Sequence, residues 1–175
     1  MKILKPIAAL LLALPTPALS QRMFIPIPMP GKETHCGNGT PAEIERAIYE
    51  AQASLPKFWK YFKSTWIHGD RFHVYVAIPK NKQEYYYVWA HVTSVTGNYA
   101  SAKIEIPDKR NPALSKGKDV SLRLDDPLDW GYRSMWDEKW FGLFTERTEL
   151  LHCSADDKAY LLQAVYRSPP VPIDW

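Results

Sequence analysis

Cysteine is scarce in this sequence. Only Cys36 and Cys153 occur, with no Cys-x-x-Cys pair, so thiol redox catalysis and cysteine-based zinc sites lack their usual spacing. Long apolar runs are missing as well. Ile7 to Leu14 gives about eight apolar residues, against the roughly twenty that cross a bilayer. The histidines, His35, His68, His73, His91 and His152, fall in no His-Glu-x-x-His or other metal-ligand spacing. There is no Gly-x-Ser-x-Gly elbow for a serine nucleophile. No glycine-rich loop is present to cradle a phosphate, and no EF-hand loop to hold calcium. The composition therefore points to no metal and no cofactor.

The short apolar run has another reading. Lys2 and Lys5 precede it, and Ala18-Leu19-Ser20 follows as a small-x-small cleavage pattern, so residues 1–20 read as a signal peptide. Position 21 is Gln21, which gives no lipoprotein anchor. Without Lys2 and Lys5, 20 basic residues face 19 acidic ones. That near-neutral balance carries no electrostatic footprint for nucleic acid or anionic lipid. The expected location is the periplasm or the external medium. In that oxidising setting, Cys36 and Cys153 read as one disulfide.

All 23 aromatic residues fall in the remaining 155 positions. Each buries about 150–250 Å², so one domain of this size can build a substantial core from them. Residues 21–39 are rich in proline and read as an extended arm, with a single domain over 40–153. Thr40, Pro41 and Glu43 form a capping box opening a helix, and Ile44, Ala47, Ile48 and Ala51 give its buried stripe. Pro56 is expected to end that helix, with a short second one carrying Phe58, Trp59 and Phe62. From Phe72 the period becomes two, and strands follow over "FHVYVAIP", "YYYVWAHVTSV", "YASAKIEI" and "DVSLRL". His73 and His91 fall on neighbouring strands. A helix opened by Ser154 and a tail, "SPPVPIDW", complete 154–175. Such a tail could dock on another molecule. The expectation is an α+β fold, with one or two N-terminal helices on a curved antiparallel sheet of about five or six strands.

The segment "DDPLDWGYRSMWDEKWFG" concentrates acids and tryptophans. Asp125, Asp126 and Asp129 are explained by turn chemistry more simply than by a cation. Tyr132, Ser134 and Trp136 are expected to alternate along a strand, before a turn at Asp137. Whether 140–151 is strand or helix stays open. Asp129 and Asp137 could serve a glycosidase only if their carboxyls flank one sugar. Tyr85, Tyr87 and Trp89 share one strand face, which is either core or an aromatic platform. Core is favoured because the helix needs a sheet face to cover. Trp136 and Trp140, either side of a charged turn, are expected to be exposed, and with Tyr132 and Asp137 they form the candidate binding site.

The order of these pieces resembles the bacterial family known as domain of unknown function 2314. The resemblance is carried by Leu114 and Gly117, then Asp129 and Trp130, then Gly142, Thr145 and Arg147, and covers roughly residues 40–150. It implies an α+β fold and brings no established reaction, so no catalytic residue follows from it. The reading is an exported, non-enzymatic module engaging a protein partner, in its most specific version an inhibitor or immunity-type protein. The alternative is a glycan-acting hydrolase or glycan-binding domain.

Overall fold

Thr40 opens the longest element of the computed structural model, which describes residues 36–65, 71–107, 111 and 114–172. The expected signal segment, the arm up to residue 35, His35, His68 and the last three tail positions lie outside the described residues. The Thr40 hydroxyl accepts the Glu43 N–H, and the Glu43 carboxylate accepts the Thr40 N–H at 2.7 Å. Pro41, with no N–H to satisfy, sits at the start of the helix α1, Pro41–Ser64. Glu43 also meets His152 Nε2 at 2.7 Å. That contact, followed by those with Thr40, holds its carboxyl down at about 2.

Contrary to the sequence expectation, α1 does not end at Pro56 but runs through it as one helix of 24 residues. The reason is burial on both sides of the proline. Ala51, Ser54 and Leu55 before it, and Phe58, Trp59 and Phe62 after it, pack against one sheet face. A proline inside a helix costs about 3 kcal/mol, while burying one large apolar side chain returns roughly 1.5–3 kcal/mol. Three rings beyond the proline outweigh it, and Pro56 itself faces solvent.

The sheet is open and antiparallel throughout. It comprises β1 (Phe72–Pro79), β2 (Tyr85–Thr96), β3 (Tyr99–Ile106), β4 (Asp119–Arg123), β5 (Asp129–Arg133) and β6 (Trp140–Gly142). Their order is β4-β3-β2-β1-β5-β6. An α+β fold of one long helix on six strands is thus what the chain adopts. The α1 face carries Val74, Val76, Val88, Ala90, Ile104, Leu122, Trp130 and Tyr132. Alternation sends Tyr75 and Trp89 to the other face. There they meet Trp140 and Leu143, together with Leu161 of the C-terminal helix and Val165 and Tyr166 just after it. Trp89 is therefore core, at 1% exposure, but against the C-terminal elements and not against α1.

After β6 come α2 (Phe144–Arg147), a 3-10 helix (Thr148–His152) and α3 (Ala155–Ala164), the last capped by Ser154. The open question over 140–151 resolves into strand, then helix, then 3-10 helix. Cys36 and Cys153 are disulfide-bonded, tying the chain before α1 to the end of the 3-10 helix. The tail is part of the fold: the Pro170 carbonyl accepts the Gly142 N–H at 2.7 Å, and Val171 packs on the α1-side core. Among the described residues no helix is long and apolar enough to cross a membrane.

If α1 tolerates Pro56 only through its packed flanks, Pro56→Ala restores a helix hydrogen bond at an exposed position. Stability should rise by about 2 kcal/mol. Urea unfolding followed by circular dichroism measures it, and an unchanged or lowered midpoint would refute the account.

Candidate functional site

The turn joining β5 to β6 builds the most distinctive surface of the molecule. β5 stops at Arg133, and Ser134 begins the turn by donating its N–H to the Lys139 carbonyl at 2.8 Å. The Glu138 N–H returns to the Ser134 carbonyl at 3.1 Å, and the Trp136 N–H to the Ser134 hydroxyl at 3.2 Å. Glu138 takes a left-handed conformation, φ 60°. Its carboxylate is held by Arg133 at 2.7 Å and by Arg71 at 3.3 Å. Asp137 pairs with Arg167 at 2.9 Å. Partial burial works to raise the Asp137 carboxyl, but the Ser134 hydroxyl, the Lys139 amide and Arg167 together hold it below the usual range.

The product of this bracing is an exposed indole. Trp136 is 85% exposed and its neighbour Met135 is 38% exposed. The other expected site residues go elsewhere. Tyr132 is buried on the α1 face, edge-on to Tyr61 and close to Phe72. Trp140, expected at the surface, is 4% exposed and packs on the opposite face with His73. Trp136 does not continue the strand of Tyr132, because residues 135–137 are turn. Of the four candidates, only Trp136 and Asp137 share the tip.

The acids of the segment divide in the same way. Asp125 accepts two bonds from the Arg123 guanidinium, and Asp126 accepts the Arg123 N–H. Both belong to the turn after β4. This turn forms one wall of an open groove of about 930 Å³ beside Trp59, Lys60 and Lys63 of α1. Asp129 is fully buried. One oxygen accepts the N–H groups of Trp130 (2.7 Å) and Phe144 (3.2 Å), and the other the N–H (2.7 Å) and hydroxyl (2.6 Å) of Thr145. Burial pushes its carboxyl up to about 6 against the pull of those donors. Ser134, where the turn begins, is five strand residues away, about 17 Å at 3.4 Å per residue. Asp129 and Asp137 thus do not form a glycosidase pair, whose carboxyls lie about 5–9.5 Å apart.

Around Asp129 gather the residues that carried the family resemblance. Trp130 donates its indole N–H to Ser54 at 2.8 Å. Gly142 has φ 70°, and a Cβ there would come within 2.2 Å of the Trp130 carbonyl. Thr145 binds Asp129, while Arg147 donates to the Gly142 and Trp140 carbonyls and lies over the Tyr166 ring at 4.6 Å. Burial brings the Arg147 guanidinium down to about 10. Leu114 and Gly117 stand apart, in the core and in the turn before β4.

Two polar features escaped sequence reading. Glu105 is the unpaired residue of a bulge, since Trp89 pairs Ile106 while Ala90 pairs Ile104. The bulge turns its carboxylate onto buried His73, 2.8 Å away, and this contact lowers the Glu105 carboxyl. A bulge belongs to strand pairing, so no residue announces it. Glu146 is the other: half-buried, its carboxyl is pushed up to about 8 by burial, with Glu149 and Asp129 adding to it and the Trp89 indole pulling the other way. The Glu-x-x-Glu spacing was visible, but not the face it would meet. His73 and His91 do pair across β1 and β2. Among the described residues no three His, Cys, Asp or Glu side chains are placed to hold a metal ion.

The Asp129 node predicts a graded response. Asp129→Ala, which strands buried N–H groups, should cost about 3–5 kcal/mol, and Thr145→Val about 1 kcal/mol. Equal, small losses in urea unfolding would show that the carboxylate does not organise this region.

Compared with protein-family models, with curated proteins and with solved structures, the chain matches none.

Proposed function

We propose that this chain is an exported, non-enzymatic binding module of the cell envelope that engages a protein partner through the Trp136 tip. The observation that carries the reading is the indole of Trp136, 85% exposed on a turn braced by Arg71, Arg133 and Arg167. A large ring left in water forgoes about 2–3 kcal/mol of burial, so packing of the domain does not account for it. Tryptophan is enriched among the few residues that dominate protein interfaces, and a side chain held by a rigid turn loses little freedom on binding. Met135 beside it extends the apolar contact.

Export rests on the reading of residues 1–20, and the Cys36–Cys153 disulfide is compatible with an oxidising compartment. In its most specific form the module is an inhibitor or immunity-type protein, for which a single protruding anchor filling a partner's recess is a fitting device. Membership of the family of unknown function 2314 is supported by the convergence of five of its seven signature positions on the Asp129 node. The competing reading is a glycan. The same indole could stack on a sugar ring, and Asp137 at its side offers an acceptor to hydroxyl groups.

Trp136→Ala separates these readings from a structural role. Stability should stay within about 0.5 kcal/mol of the parent, as for an exposed side chain. Partner binding should weaken at least about thirtyfold, the signature of an interface anchor. The partner is first isolated from envelope fractions with the mature domain and identified by mass spectrometry. Equal affinity for parent and variant would remove the tip from the interface. Quenching of Trp136 fluorescence by envelope oligosaccharides, with no protein partner recovered, would favour the glycan.

A further inference from the structure

Pro56 weakens α1 from an exposed position, where an alanine would serve the helix better. What it faces is the open groove of about 930 Å³ between α1 and the turn after β4. A helical carbonyl points to the residue four places on, so the Gln52 carbonyl is directed at Pro56, which has no N–H to give it. Gln52 and Pro56 both line the groove. The proline thus leaves a hydrogen-bond acceptor on the groove wall.

The two walls hold each other in place. Trp59 donates its indole N–H to the Leu124 carbonyl at 2.7 Å, and the Gln52 amide reaches the Pro127 carbonyl at 3.4 Å. The shape therefore belongs to the free domain, and a ligand entering it has little to order. Its volume lies at the upper end of the range for ligand clefts, about 300–1,000 Å³. Leu55, Pro56 and Leu124 make part of it apolar. Lys60 and Lys63 stand one turn apart on the helix wall, with no acidic partner among the described residues. Opposite them Arg123 is held by Asp125 at 3.0 Å, and Asp126 is turned back onto the Arg123 N–H. These two acids offset Arg123 and part of the lysine charge, and the groove stays cationic.

An occupant must bring a donor for the Gln52 carbonyl, an apolar group, and negative charge for Lys60 and Lys63. From Gln52 to Lys63 the helix rises about 16 Å, which about five extended residues cover. Trp59, the one aromatic residue among the described lining, is buried, so no ring face is offered for a sugar to stack on. We propose that this groove is a second binding site, which takes an extended acidic segment of a partner protein, its backbone N–H on the Gln52 carbonyl and its carboxylates on Lys60 and Lys63. The site is independent of the Trp136 tip. Pro56 then serves binding, and stability and binding oppose each other at this position.

The probe is a peptide of about eight residues, capped at both ends, alternating glutamate and alanine around one central leucine. Nuclear magnetic resonance follows the Trp59 indole N–H and the amides of Lys60, Asn98 and Leu124. Those signals should move while the amide of Trp136 does not, and affinity should fall at least about fivefold between roughly 20 and 200 mM salt. Replacing both lysines, Lys60→Gln with Lys63→Gln, should weaken binding at least about tenfold and leave the exposed helix face folded. Pro56→Ala should bind about fivefold more weakly while unfolding at higher urea, two effects that a purely structural proline would not combine. Groove signals that stay still at about 5 mM peptide overturn the proposal, as does equal binding by a peptide with glutamine for glutamate. Unchanged affinity in the lysine variant overturns it too, and unchanged affinity in Pro56→Ala removes the Gln52 carbonyl from the site. Preference for oligogalacturonate over the peptide would replace the protein segment by an anionic glycan.

Discussion

One carboxylate organises the C-terminal half of this molecule. Placing Asp129 out of water costs several kcal/mol, and the cost is offset only because four donors converge on its two oxygens. Three of those donors are backbone N–H groups that would otherwise be buried unpaired. The chain must therefore turn sharply after β6 to bring Phe144 and Thr145 back onto β5. Gly142 supplies the close approach to Trp130, and Leu143 accepts a left-handed backbone to complete the return. Arg147, one turn later, binds the carbonyls of β6. A three-residue strand thus gains from α2 the fixation it could not supply itself.

From that fixation follows the sorting of three tryptophans into three environments. β5 and β6 pair with Gly131 opposite Gly142, Tyr132 opposite Phe141 and Arg133 opposite Trp140. Opposed residues of an antiparallel pair share a face. Each pair sums to an odd number, so even positions of β5 and even positions of β6 lie on opposite faces. Trp130 therefore reaches α1 and Trp140 reaches α3. Trp136, in the turn between them, reaches neither.

The same parity explains what the sequence could and could not reveal. Alternation within β1 and β2, the Thr40–Glu43 box and the lone cysteine pair are local or combinatorially trivial, and they are as expected in the structure. Grouping Tyr132, Trp136 and Trp140 on one surface required the length of the turn, which charge and aromatic content do not encode. Glu105 depended on a bulge and Glu146 on knowing that "FTER" is one helical turn under a sheet. Pro56 failed for another reason. A local rule worth about 3 kcal/mol was opposed by three ring burials that appear only once the sheet is in place. The candidate site was legible as a stretch of chain and illegible as a surface.

The ion pairs around the tip add little to folding stability, since exposed pairs contribute about 0–1 kcal/mol each. Their effect is geometric. Arg71 enters from the residue before β1, Arg133 from the end of β5 and Arg167 from beyond α3, so three separated parts of the chain fix one turn. Arg167 also lies near the Phe141 ring and donates its N–H to the Trp140 carbonyl. The tip is thereby coupled through β6 to Arg147 and the Asp129 node. Arg147 holds the carbonyls of β6 from one side while Arg71, Arg133 and Arg167 hold the turn from the other. The two sets meet at the Trp140 carbonyl, which accepts both the Arg147 guanidinium and the Arg167 N–H, so the exposed Trp136 indole is presented from a turn fixed on both sides.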